Sequence, residues 1–269
     1  SYARTFPKYP SINLSLSASH SQNTRTQTIN MTLPTFQANM ERIYPFAKRT
    51  GTKKGVIQNV NFQYSVRGEN RLEMKDEEFL APGMFDNVKS GFKHQIPINT
   101  SFKVAKHFNF SVGGNYEDTW VFETIKKNDY DPKLESVAAQ DTIRGFDRFN
   151  KYNYSAGVST TLYGIFDFKE DAKIKSIRHV INANVSYSNS PSFEKYYDEY
   201  IVDADGNTRD YTRFETSLYG QPGLNKSRSM SFALRNTIEA KVRDPDTLAT
   251  EPKKIKILNN LNFSTSYNF

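Results

Sequence analysis

Apolar residues alternate with small polar ones along most of this chain. Between Phe108 and Thr124, residues Phe108, Phe110, Val112, Gly114, Tyr116, Trp120 and Phe122 share one parity, and Asn109, Ser111, Gly113, Asn115 and Thr119 hold the other. A period of two is that of a β-strand with two unlike faces. Strands of soluble proteins average about 5–6 residues. A longer run, apolar on one face and Asn/Ser/Thr on the other, is what a transmembrane β-barrel needs, at roughly 9–11 residues to cross the bilayer.

Nine such segments succeed one another. They are marked by Ile12–Ala18; Ile29–Met40; Val60–Val66; Phe92–Val104; Phe108–Phe122; Tyr152–Phe166; Ile177–Tyr187; Met230–Val242; and Ile257–Phe269. The second changes parity at Pro34. Proline cannot donate to a ladder, so a bulge or local opening is expected there. The connections Ile43–Lys54, Ala105–His107, Asp167–Lys173 and Asp244–Lys254 are short or moderate, whereas 69–90, 125–148 and 189–227 are long. Short turns at one end and long loops at the other are the asymmetry of outer-membrane barrels, with turns periplasmic and loops extracellular.

The pattern predicts an all-β fold: residues 1–269 form part of one antiparallel transmembrane β-barrel, about nine long strands of a larger one. An odd strand number is unusual for a bacterial single-chain barrel, and the first ten residues carry no leader with an apolar run, so a processed or excised portion is expected. A soluble β-sandwich also alternates. Strand length, loop asymmetry and the absence of charge on the apolar faces argue against it.

Composition changes this picture little. Among the 269 residues there are 20 Phe and 16 Tyr, which suit strands and interfacial aromatic girdles. The mean hydropathy of −0.69 is low because one face and the loops are polar. With no cysteine, disulfides, thiolate metal sites and Cys nucleophiles are excluded. The net charge of +7 points to an anionic partner.

No catalytic constellation emerges, and no cofactor or metal is expected. His20, His94, His107 and His179 lack metal-ligand spacing. The Asp203–Thr208 stretch opens like a calcium loop but lacks a correctly spaced distal Glu, so a hairpin turn at Asp205-Gly206 is expected instead. Arg67, Lys103, Arg178, Arg235 and Lys241 share parity with the small polar face, as does Arg243, and are expected to point into the lumen. Arg235 is nearest mid-strand, whereas Arg67, Lys103, Arg178 and Arg243 fit charges that reach water at strand ends. Nucleic acid is not expected as a partner, because the aromatic residues lie on the face opposite the cations.

Several strings, in order, resemble the barrel region of the LptD family, the outer-membrane lipopolysaccharide (LPS) assembly proteins. They are residues 1–15, Arg42–Lys48, Ile96–Val104, Asp141–Phe146, Ser176–Ile181 and Asn259–Phe269. The resemblance implies a Gram-negative outer-membrane translocon, not an enzyme, that receives LPS from a periplasmic β-jellyroll bridge and releases it into the outer leaflet through a lateral seam. Its partners would be LPS, membrane lipid, a lipoprotein of the LptE type in the lumen, and the periplasmic Lpt bridge through a jellyroll lying outside this sequence. The disulfides of parts of the family cannot form here, and no gate residue carries over. The competing expectations are a porin or TonB-dependent receptor moving small solutes, and an outer-membrane phospholipase or protease.

Overall fold

The computed structural model describes residues 1–169, 172–243 and 253–269. The strands are β1 (Tyr2–Phe6), β2 (Ile12–Asn23), β3 (Thr28–Ile43), β4 (Asn61–Lys75), β5 (Lys89–Val104), β6 (Phe108–Lys126), β7 (Tyr130–Asp131), β8 (Ser136–Val137), β9 (Asp141–Asp167), β10 (Ile174–Ser190), β11 (Tyr197–Ile201), β12 (Thr208–Thr212), β13 (Ser227–Val242) and β14 (Lys253–Asn268), with one helical turn, α1 (Gly55–Gln58). Ten of them form a single sheet in the order β1-β2-β3-β4-β5-β6-β9-β10-β13-β14, while β7-β8 and β11-β12 are separate ribbons inside long connections. All pairings are antiparallel, so the large sheet is an up-and-down meander.

All nine expected strands are present, and β1 adds a short tenth at the edge, paired to β2 from Tyr2↔Leu16 to Phe6↔Ile12. Several strands run further than the alternation suggested. β4 continues to Lys75, and β9 begins at Asp141 and runs for 27 residues to Asp167. The long connections therefore shrink from 69–90, 125–148 and 189–227 to 76–88, 127–140 and 191–226. Where the strands outgrow the roughly 9–11 residues that cross a bilayer, the inner parity fills with charge and no longer looks like the membrane pattern. The expected connection Asp244–Lys254 lies mostly outside the described residues.

Register fixes which side chains share a face, because directly opposed residues project the same way. One row runs Ser101↔Ser111↔Gly157↔Ser186↔Ser231↔Ser266 across six strands. On the opposite face Phe110 opposes Phe102 and Val158, and Val185 opposes Val158 and Phe232. The β2–β3 and β3–β4 ladders both shift at Thr32–Thr35, the bulge expected at Pro34, and this keeps Phe36 and Ala38 on the apolar face after the parity change. A second irregularity falls between Val121 and Glu123 of β6, opposite Gly145, whose φ of 153° suits a residue without Cβ. On the apolar face the ring of Phe92 covers Gly68 and leaves no room there for a Cβ.

Connection 76–88 covers Ile29, Leu72 and Met74 at the long-loop end, but through the middle of the strands the apolar face is bare. Val112 is 47% exposed, Leu162 52% and Phe263 55%. A sandwich would cover such residues with a second sheet, and among the described residues none does. This is the face of a barrel that meets lipid. No helix is long and apolar enough to cross a membrane. The apolar face is not free of charge, contrary to expectation. Asp118 and Arg148 both lie on it, 3.6 Å apart, toward the long-loop end. Trp120 Nε1 donates to Asp118, and Tyr64 Oη is hydrogen-bonded to His94 Nδ1 at 2.7 Å. These groups accompany a collar formed by Phe92, Trp120, Phe122 and Phe146, where aromatic residues mark a membrane–water boundary.

Candidate functional site on the polar face

The register places all five cationic candidates on the polar face. Arg67 opposes Gln37 and Lys93; Lys103 opposes Asn109; Arg178 opposes Ile165 and Glu239; Arg235 opposes Asn182 and Asn262; Lys241 opposes Ser176 and Lys254. They do not form one site. They mark successive heights on the wall, and only Arg178 and Lys241 are brought together.

At the short-turn end, Arg178, Lys241 and Lys254 line a cavity of about 700 Å³ with Tyr163, Ile165, Asp167 and Glu239. The Arg178 guanidinium lies 5.3 Å from the centre of the Tyr163 ring, a cation–π distance. Lys241 and Lys254 oppose each other directly across β13 and β14. Like charges at such positions destabilise a ladder, so this arrangement favours an anion between them. Aromatic and aliphatic side chains were expected only on the outer face. Here Tyr163, Ile165 and Val180 stand on the inner one, beside the cations. The cavity thus combines positive charge with an apolar floor.

At mid-height Arg235 stands among Ser159, Thr161, Asn182, Asn184, Asn262 and Ser264. Thr161 donates its hydroxyl to Asn182 Oδ1 at 2.8 Å. Toward the long-loop end Arg67 is not a loose strand-end charge. The longer β4 puts it mid-strand, with Glu69 accepting from Arg67 Nη2 at 2.9 Å and from Arg71 Nη2 at 2.8 Å. Beside this group, Glu117 is paired with Lys93 at 3.0 Å and Lys151 at 3.4 Å. Glu69, Lys93, Glu117 and Lys151 escaped the sequence reading, although their polar-face parity was visible. Lys103 lies near the short-turn end of β5, one residue before Val104.

Connection 191–226 folds back over this outer part of the polar face. Phe193, Tyr196 and Phe214 pack with Val121 and Phe149 of the inner wall, with the Phe149 and Phe214 ring centres 4.7 Å apart. Arg213 Nε donates to Asp147 Oδ2 at 2.7 Å, and Ile125 N–H donates to the Arg213 carbonyl at 3.0 Å. Burial of each large apolar side chain stabilises by about 1.5–3 kcal/mol, so the connection is fastened to the wall. Tyr219 reaches furthest across. Its hydroxyl is pushed up to about 12 by burial, with the Glu69 carboxylate adding to the effect.

The calcium-like stretch is a turn. Asp203 Oδ1 accepts from the N–H groups of Asp205 and Asn207, and Oδ2 accepts from Asn207 Nδ2 at 2.7 Å. The hairpin closes β11 onto β12, with the expected turn at Asp205-Gly206 between them. Among the described residues no group of three or more acidic or histidine side chains could hold a metal. His107 lies in the tight turn Ala105–His107 between β5 and β6.

One meandering sheet with an exposed apolar face and a polar, cation-bearing face has the build of a β-barrel segment. The family model described as LptD protein matches residues 1–269, the whole chain. The chain belongs to this family, which serves LPS transport at the outer membrane and is a transport and assembly family rather than an enzyme family. No curated protein and no solved structure matches it.

Proposed function

We propose that the polar face is part of the wall along which LPS moves to the outer leaflet. The single observation that carries this reading is the cavity of Arg178, Lys241 and Lys254 over Tyr163 and Ile165. A pore for small solutes needs charge or width. A wall that handles a phosphorylated amphiphile needs cations beside apolar surface, and this cavity offers both. Arg235 then stands on the route, and the Arg67–Glu69–Arg71 group under connection 191–226 stands near its outer end. In this reading LPS arrives from a periplasmic jellyroll bridge, a lipoprotein of the LptE type occupies the lumen, and release is lateral.

The test is photo-crosslinking in the full-length protein in cells, from positions 178 and 235. Adducts to LPS are expected at both. Arg178→Glu combined with Lys241→Glu is expected to lower surface LPS and raise antibiotic sensitivity while the barrel still assembles. Adducts to a lipoprotein alone would make these cations a docking surface. No adducts, with unchanged export in the double variant, would overturn the reading.

A further inference from the structure

The connection between β3 and β4 differs from the other short-turn connections. It spans residues 44–60 and carries Lys48, Arg49, Lys53 and Lys54 but no carboxylate. None of the four forms an ion pair within 4 Å among the described residues. Arg49 instead lies 4.4 Å from the centre of the Tyr9 ring, and Lys53 lies 4.1 Å from that of Tyr44. The nearest acidic side chain in sequence, Glu41, accepts the Ser11 hydroxyl at 2.8 Å and feels the Arg49 charge from beyond ion-pair distance. The same connection exposes large apolar side chains, with Phe46 61% and Ile57 67% accessible.

Its position is fixed by one contact. Thr100 of β5 donates its hydroxyl to the Val56 carbonyl at 2.8 Å. Thr100 opposes Val112 and so belongs to the apolar face. The α1 turn therefore lies on the outside of the wall, not over the lumen. Just beyond it on the same face, Phe102 and Phe110 stack with ring centres 5.4 Å apart, and Phe108 is exposed. Val56 and Ile57 thus continue the lipid-facing surface at its short-turn edge, with cations that have no carboxylate within 4 Å beside them.

We infer that connection 44–60 is an interfacial anchor that inserts Ile57 and Phe46 among lipid headgroups and binds anionic phospholipid through Lys48, Arg49, Lys53 and Lys54. An apolar tip flanked by cations is the pattern of segments that lie in a membrane interface. Each cation near an anionic surface adds to the attraction. The occupant is lipid rather than a periplasmic protein, because the segment rests on the face already in contact with the bilayer.

These 269 residues hold no cysteine, so a single label is placed after any cysteine elsewhere in the full-length protein is replaced by serine. Full-length protein carrying Ile57→Cys or Lys106→Cys, labelled with a fluorophore, is reconstituted in nanodiscs of phosphatidylcholine, with or without phosphatidylglycerol. Brominated lipid is expected to quench the label at 57 and to leave that at 106 in water. Phosphatidylglycerol should be enriched around the protein over phosphatidylcholine. Each of Lys48→Gln, Arg49→Gln, Lys53→Gln and Lys54→Gln should reduce that enrichment, by up to about fivefold. A label at 57 open to aqueous quencher in both lipids would overturn the inference. So would protection that arises only when a soluble periplasmic domain is added. Neither readout depends on LPS export, so the inference and the proposed function fail separately.

Discussion

The hydroxyl of Tyr219 donates to the main-chain carbonyl of Arg67 at 3.3 Å, across 152 positions of sequence. Through this contact the far end of connection 191–226 is laid against β4, while its middle is held by Phe149 and Asp147 on β9. The connection crosses the polar face from β10 to β4, and its attachments can be tested one by one.

The first test uses pH. The folded state holds the Tyr219 hydroxyl neutral up to about 12, above the ordinary value of 10.0. A raised pKa stabilises the folded contact below the unfolded value, and the stabilisation is lost as pH rises through the folded one. In detergent-solubilised protein, protease cleavage of 215–226 is therefore expected to increase between about pH 10 and pH 12. Tyr219→Phe removes the titration, so its cleavage should change little over that window. An equal rise in both proteins would assign the effect to other groups.

Glu69 is buried, whereas its partners Arg67 and Arg71 are about half exposed. Removing either Arg leaves the carboxylate one charged partner; removing both leaves it buried without any. Hydrogen bonds to charged groups contribute about 1.5–3 kcal/mol. Arg67→Ala and Arg71→Ala should each be mild in a urea unfolding titration, and the double variant should cost more than the sum of the two. Additive losses would mean that the two cations act independently of Glu69.

Val158 and Ser159 are neighbours on opposite faces, opposed respectively to Val185 and Asn184. Val158→Arg places a cation in lipid and is expected to destabilise by about 2–4 kcal/mol if it lies near the bilayer midplane. Ser159→Arg places one on the polar face and should cost much less. Folding titrations into phospholipid vesicles give both numbers, and equal losses would reverse the assignment of faces.

The β11–β12 hairpin presents Asp203–Asn207 at its tip. Protease added to intact cells is expected to cut there and to spare the Ala105-Lys106 turn. The opposite pattern, seen only after the outer membrane is opened, would invert the topology.

Most of the sheet was legible because its strands lie between lipid and polar lumen, the setting in which alternation is strictest. Phe108–Phe122 shows this, as does the parity change at Pro34, where a bulge preserves the faces. Beyond the bilayer the same period persists in another alphabet. From Arg67 to Lys75 one parity reads Arg67, Glu69, Arg71, Glu73, Lys75 and the other Gly68, Asn70, Leu72, Met74. A search for apolar against small polar residues passes over it, which is why Glu69 was placed in a loop. At Gly145 a bulge breaks the parity of β9 and hid its first turn of pairing. The Tyr163–Arg178 pair was invisible for a different reason. An apolar residue on the polar parity looks like noise in one strand, and only register shows that two strands contribute to the same apolar floor.

The row from Ser101 to Ser266 has a consequence for what can slide along it. Its six side chains are five hydroxymethyl groups and one hydrogen, so the wall there is nearly smooth on the scale of a sugar ring. Each hydroxyl can rotate to give or to take a hydrogen bond. A polyhydroxylated chain displaced by one strand spacing, about 4.8 Å, meets the same chemistry again. The energy profile along the row is close to level, with no well deep enough to hold one saccharide in preference to another. On the proposed route such a surface would tolerate variable glycans and low friction together, and any preference for a cargo would fall to the charged groups that flank the row toward either end of the strands.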